Sequence, residues 1–168
     1  MLQLPALEDR GGPAQPLLII RGLKKYFPIK NGMFKPAGFV QAVDDLNFEV
    51  NKGETLGIVG ESGSGKSTLL RCLAGQDRPT SGVITLNFDG VPLNLFDIPE
   101  PRRRQLMRTK WGIVHQNPRD GLRMDVSAGG NIGERLMDRG DRHYGKIRTA
   151  ALDWLSRVEI ETNRVDDY

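Results

Sequence analysis

The sequence is short of cysteine, histidine and long apolar runs, and each shortage removes a class of function. Cys72 is the only cysteine. No intrachain disulfide framework can form, and no cysteine cluster can hold an iron–sulfur centre. His115 and His143 are the only histidines. No run approaches the roughly 20 apolar residues that a membrane-spanning helix needs. The leader MLQLPALEDRGGPAQP carries Glu8 and Asp9 where a secretory signal would keep its apolar core. Aromatics are few, and none interleave with the basic cluster of Arg102, Arg103, Arg104, Arg108 and Lys110. Single-stranded nucleic acid would find no stacking platform there, so no nucleic-acid partner is expected. The cluster reads as a solvated helix face. The net charge of +3 suits a polyanionic ligand without demanding one. Together these features predict a cytoplasmic protein, or one held peripherally at the inner membrane without inserting.

The chain has 168 residues, enough for one domain with a core. Residues 1–16 read as a flexible leader. LLIIRGLKKYF reads as a strand, PIKNGMFKPAG as a hairpin loop, and FVQAVDDLNFEV as a second, partly alternating strand. TLGIVG is short and nearly all apolar, the pattern of a strand buried on both faces of a parallel sheet. Leu69, Leu70 and Leu73 share one face of a predicted helix that Gly75 stops. SGVITLNFDG reads as a strand, IPEPRRRQLMRTK as a helix and WGIVHQ as strand-like. Two further helices are expected between Ser127 and Ile160, broken near RGDRHYG. In the second, Ile147, Ala151, Trp154, Leu155 and Val158 recur at helical spacing. No internal repeat is present.

The stretch that carries chemistry is GESGSGKS, Gly60 to Ser67, which fits G-x-x-x-x-G-K-[ST]. Gly60, Gly63 and Gly65 allow backbone angles closed to other residues and leave room for phosphate oxygens. The N–H groups of Glu61, Ser62, Ser64 and their neighbours converge on an anion, and the helix that follows presents its positive end to it. Lys66 can reach β and γ phosphates, Ser67 can ligate Mg2+, and Thr68 is placed to contact the α phosphate. The motif follows an apolar strand and opens an amphipathic helix, the context it requires.

LKKYF, ESGSGKSTLL and VHQNP together resemble the ATP-binding-cassette ATPases. The resemblance implies an α/β fold of the P-loop NTPase class, with ATP and Mg2+ as ligands. It implies that Tyr26 stacks on adenine, with Phe27 as its rival, and that Gln116 reaches the Mg2+ and the attacking water. Lys66 and Gln116 are then the expected catalytic residues, and Ser67 and Gln116 the expected metal ligands. LKKYFPIKNGMF and QAVDDLNFEVNKGETLGIVGESGSGKSTL resemble ATPases of peptide and nickel importers. From Arg102 onward, HQNPRDGLR and SAGGNIGERLM…RHYG closely resemble the cassette ATPases of carbon–phosphorus lyase systems. That implies a subunit serving an enzyme complex that degrades phosphonates. The importer ATPase, which would serve a membrane permease, is the alternative, and a non-catalytic interaction fragment is the alternative of another class.

The Gly129–Gly130 pair in DVSAGGNIGERL invites comparison with the family's phosphate clamp. It lies only a few residues after Gln116, so it is expected to be a turn before a helix instead. No four apolar residues end in Asp-Glu, so the Mg2+-binding aspartate and the general base have no candidate, and neither histidine occupies the switch position. His115 is expected to bond locally beside Gln116, and His143 to sit on a surface loop. Residues 17–168 therefore read as a partial domain, with 17–116 carrying an antiparallel sheet and P-loop core and 117–168 opening the helical subdomain. The expectation is a portion of a longer ATPase that needs a second ATP-binding subunit. The 168-residue chain by itself is expected to be marginally stable, exposing the TLGIVG strand, and not to turn ATP over.

Overall fold

The computed structural model describes residues 16–30, 36–88 and 90–168. The leader expected over 1–16 lies outside them except for Pro16, as does the middle of the predicted hairpin loop. The chain divides into two compact units, one running to Arg103 and the other from Arg104 to Tyr168.

The first unit is built on a sheet. β1 (Pro16–Lys30) and β2 (Pro36–Asn51) form a long hairpin, and β3 (Ser81–Phe88) and β4 (Val91–Asn94) extend it in the order β2-β1-β3-β4. Every pairing is antiparallel. Ile20, Leu23 and Ile84 are fully buried, together with Leu95 and Cys72. They form the core expected of a sheet with one apolar face. α1 (Lys66–Leu73) buries Leu69 and Cys72. Leu70 is instead 54% exposed: at about 100° per residue, Leu69 and Cys72 can face inward together only if Leu70 turns out. The helix stops where Gly75 predicts. The Gly75 N–H donates to the Cys72 carbonyl and the Gln76 N–H to the Arg71 carbonyl, a paired C-terminal cap.

The second unit is helical. α2 (Glu100–Lys110) spans the junction between the units, and α3 (Ala128–Asp138) and α4 (Tyr144–Arg157) fill the stretch where two helices are expected. Ala151 and Leu155 of α4 and Val165 of the 3-10 turn Thr162–Asp166 make the core. Arg148 and Asp166 close it with two parallel hydrogen bonds of 2.7 and 2.8 Å, which hold the Asp166 carboxyl below its usual range. Trp154 and Val158, predicted on the apolar face, are more than half exposed.

Two expectations need correction. TLGIVG and the stretch from Trp111 to His115 are not strands: each runs through the structure without a ladder. Val59 is 94% and Val114 99% exposed. A strand exists only where a neighbour takes its N–H and C=O groups, and all strands among the described residues belong to the antiparallel sheet. Gly129 and Gly130 do not form a turn before a helix either. They lie inside the first turn of α3, whose N-cap is Ser127, with the Ser127 hydroxyl accepting from the Gly130 N–H at 3.3 Å.

Candidate functional site

The phosphate-loop sequence folds around its own lysine. The Ser64 N–H donates to the Glu61 carbonyl at 3.3 Å, turning the chain back. Lys66 Nζ donates to the Gly60 carbonyl at 2.8 Å, the Glu61 carbonyl at 2.5 Å and the Ser64 hydroxyl at 3.2 Å. Three donors meet three acceptors, so the ammonium sits over the loop that a phosphate would occupy. No side chain caps α1, which leaves its first-turn N–H groups open toward the same loop. Ser67 is exposed beside them, and Thr68 is half-buried.

Gly65, the N-cap of α1, is where the loop meets the sheet. Its φ is +91°, a conformation that costs other L-residues about 1–2 kcal/mol. A Cβ there would stand 1.9 Å from the Ala42 carbonyl oxygen. Ala42 is free to aim that carbonyl because the ladder skips it: Lys25 pairs with Val43 and Tyr26 with Gln41. A β-bulge thus seats the loop on β2.

Tyr26 lies in the same unit, one ladder position from that contact. Its N–H donates to the Thr80 hydroxyl at 2.9 Å, and its own hydroxyl donates to the Asp44 carboxylate. Phe27, the rival for the stacking role, has the Lys25 ammonium 5.0 Å from its ring centre. Successive strand residues point to opposite faces, so the two rings cannot serve one ligand face together. Tyr26 and the phosphate loop are therefore joined through β2.

Gln116 belongs to the second unit, where it is exposed at a bend that leads into the 3-10 turn Pro118–Asp120. The extended stretch before it is tied to α3 by Arg135, which donates to the Arg108 and Trp111 carbonyls at 2.8 Å each. The loop after it is pinned by Asn131. Its side-chain oxygen accepts from the Arg123 N–H at 2.8 Å, and its amide donates to the carbonyls of Arg123, Val126 and Ser127. Sequence reading missed both residues; a lone asparagine inside a helix was the available signal, since asparagine there competes for backbone groups. His143 does more than occupy a loop: its Nδ1 accepts from the Lys146 N–H at 3.2 Å and caps α4. Beside Arg135 lies a cavity of about 340 Å3 lined by Arg108, Trp111, Ile132, Leu136, Arg139 and Trp154.

The family model described as ABC transporter matches residues 43–168. The chain belongs to the ABC transporter family. Among curated relatives, PhnK of Escherichia coli (strain K12), named as a phosphonates utilization ATP-binding protein, is 48% identical over 153 residues, covering 91% of this chain and 55% of that protein. The dipeptide transport ATP-binding protein DppF of the same organism is 38% identical over 154 residues, covering 92% of this chain and 45% of that one. The chain thus spans about half the length of the curated relatives it matches. The ATP-binding cassette MJ0796, solved as a dimer in a post-hydrolysis state bound to ADP and Pi, has a TM-score of 0.72 at 27% identity, over 89% of this chain and 60% of that one. The fold is accordingly that of the ABC ATPases, an α/β P-loop fold, here in part.

Members of this family bind ATP, normally with Mg2+. The residues fit such a ligand: Gly63 and Gly65 turn the loop at positive φ, its cation is already over it, and no side chain caps the helix end beside it. Among the described residues, no helix is long and apolar enough to cross a membrane.

Proposed function

We propose that this chain carries the ATP-binding part of a subunit that serves a carbon–phosphorus lyase system. The observation that carries the narrower reading is the 48% identity to PhnK across nearly the whole chain, against 38% to DppF over the same span. Lys66 exchanges its loop carbonyls for the β and γ phosphates, and the backbone from Gly60 through Gly65, with the Glu61, Ser62, Gly63 and Ser64 amides, surrounds them. Thr68 meets the α phosphate, and Tyr26 faces the adenine. Ser67 would ligate Mg2+ and, by the family resemblance, Gln116 would join it; the ion would offset the triphosphate charge. Hydrolysis requires a second ATP-binding subunit. The protein works at the cytoplasmic face, beside lyase subunits. Arg108 and Arg139, lining the cavity next to the Gln116 segment, are chemistry suited to an acidic partner element.

The second reading is an importer subunit docked on a permease, supported by the DppF likeness. Copurification separates the two: recovery with lyase subunits is expected, and recovery with a permease alone would overturn the narrower reading. Nucleotide binding is tested separately. Lys66→Ala is expected to lower ATP affinity at least tenfold in a fluorescent-nucleotide titration, and unchanged affinity would sink the phosphate-loop assignment.

A further inference from the structure

Asp44 sits on an irregular stretch of β2 that also contacts the phosphate loop. The ladder pairs Leu23 with Leu46 but Lys25 with Val43, so β2 carries an extra residue between them. Asp45, within that stretch, has φ +52°, and the Asn47 amide donates to its carbonyl at 2.9 Å. The second bulge, at Ala42, turns a carbonyl to Gly65. Between them, Asp44 reaches the Tyr26 hydroxyl as acceptor, and Lys24 Nζ stands 3.4 Å from the same carboxylate.

We propose that Asp44 is a positioning residue of the nucleotide site, fixing the Tyr26 ring at a set distance from the phosphate loop by accepting its hydroxyl hydrogen bond. This rests on the reading that Tyr26 meets the adenine. A ring on an open hairpin would sample several rotamers, and base stacking would have to freeze them. A hydrogen bond made beforehand removes part of that cost from binding. The Asp44 carboxyl lies below its usual range, chiefly through the Tyr26 hydrogen bond and to a lesser extent through Lys24, and Lys24 lies above its own range through Asp44. Tyr26 is pushed above the ordinary phenol range by the same bond. Both bulges lie within five residues of β2, so the register of β1 on β2 sets the spacing from base ring to phosphate loop.

The test compares ATP with inorganic triphosphate, which has no base, by calorimetry on the full chain. Asp44→Ala is expected to weaken ATP roughly two- to tenfold, the range of one immobilised side chain, and to leave triphosphate unchanged. Tyr26→Phe keeps the ring but not the bond. It should cost the same as Asp44→Ala, and the double variant should cost no more than either. Asp44→Asn retains an acceptor and should restore most of the affinity. In the nucleotide-free chain, ultraviolet titration of Asp44→Ala should show one tyrosine ionising earlier than in the parent. Unchanged ATP affinity in Tyr26→Ala would overturn the base-contact reading and the proposal with it. Affinity lost in Tyr26→Ala but kept in Asp44→Ala, additive losses in the double variant, or an unmoved tyrosine titration would overturn the positioning role alone.

Discussion

Ile84 on β3 and Val59 before the phosphate loop are both β-branched apolar residues in short apolar runs. Ile84 is fully buried, whereas Val59 is 94% exposed. The difference lies in neighbours. Ile84 stands opposite Ile20 in a ladder, and its carbonyl accepts from the Leu95 N–H at 2.8 Å. The segment from Thr55 to Gly60 has the composition of a strand and no ladder. Apolar letters supply the drive to bury a strand, but a strand also needs a place for its backbone hydrogen bonds.

The largest expected effect tests the buried side of this comparison. Ile84→Ala should lower the stability of the first unit by about 2–5 kcal/mol, read as a shifted denaturant midpoint with an unchanged slope. A change under 1 kcal/mol would mean that the sheet face is not the core. Gly65→Ala probes the contact between sheet and loop. Strain at positive φ and collision with the Ala42 carbonyl should together cost about 2 kcal/mol or more and remove ATP binding. A variant that melts and binds like the parent would contradict the seating of the loop on β2.

Gly129→Ala carries the comparison into the helical unit. Alanine gains about 1 kcal/mol of helix propensity over glycine. Here its Cβ would meet Val165 Cγ2 at 2.7 Å and the Val165 carbonyl oxygen at 2.9 Å. Backbone cannot swing aside, so overpacking of about 1–3 kcal/mol wins, and a net loss of stability is expected by circular dichroism. A stabilised variant would show that α3 and the turn at Val165 do not touch. The smallest effect belongs to the exposed side: Val59→Ala should change stability by no more than about 0.5 kcal/mol. Amides from Thr55 to Gly60 should exchange with solvent far faster than those of β1. Slow exchange there would mean that the segment has found a ladder.

The local grammar of the chain was legible in the sequence. The phosphate loop, the stop at Gly75, the two hairpin strands, β3, and the break between α3 and α4 all follow from residues within a few positions of one another. Gly, Ser, Lys and Pro act on their own backbone or on the next turn, so no distant partner has to be known. Cys72 is fully buried, and burial pushes its thiol up from its ordinary value. The face of α1 was half legible: spacing named Leu69 correctly, and only packing showed that Cys72, not Leu70, completes it.

What the tertiary structure decided involves pairs far apart in the chain. Leu56 and Val59 have the composition of a buried strand; their exposure was expected from the sequence, but only the structure showed that the segment forms no strand at all. The Gly129–Gly130 pair looked like a phosphate grip or a turn, yet Gly129 has no side chain because Val165 lies against it, 36 positions on. Asp44 was one acidic residue of a strand until the bulges of β2 brought it to Tyr26. The turn from Gly60 to Lys66 is legible in adjacent residues, because its hydrogen bonds span no more than six positions. Which sheet residue seats that loop, and which carboxylate holds the ring beside it, depended on strand register, and register is a property of two segments at once.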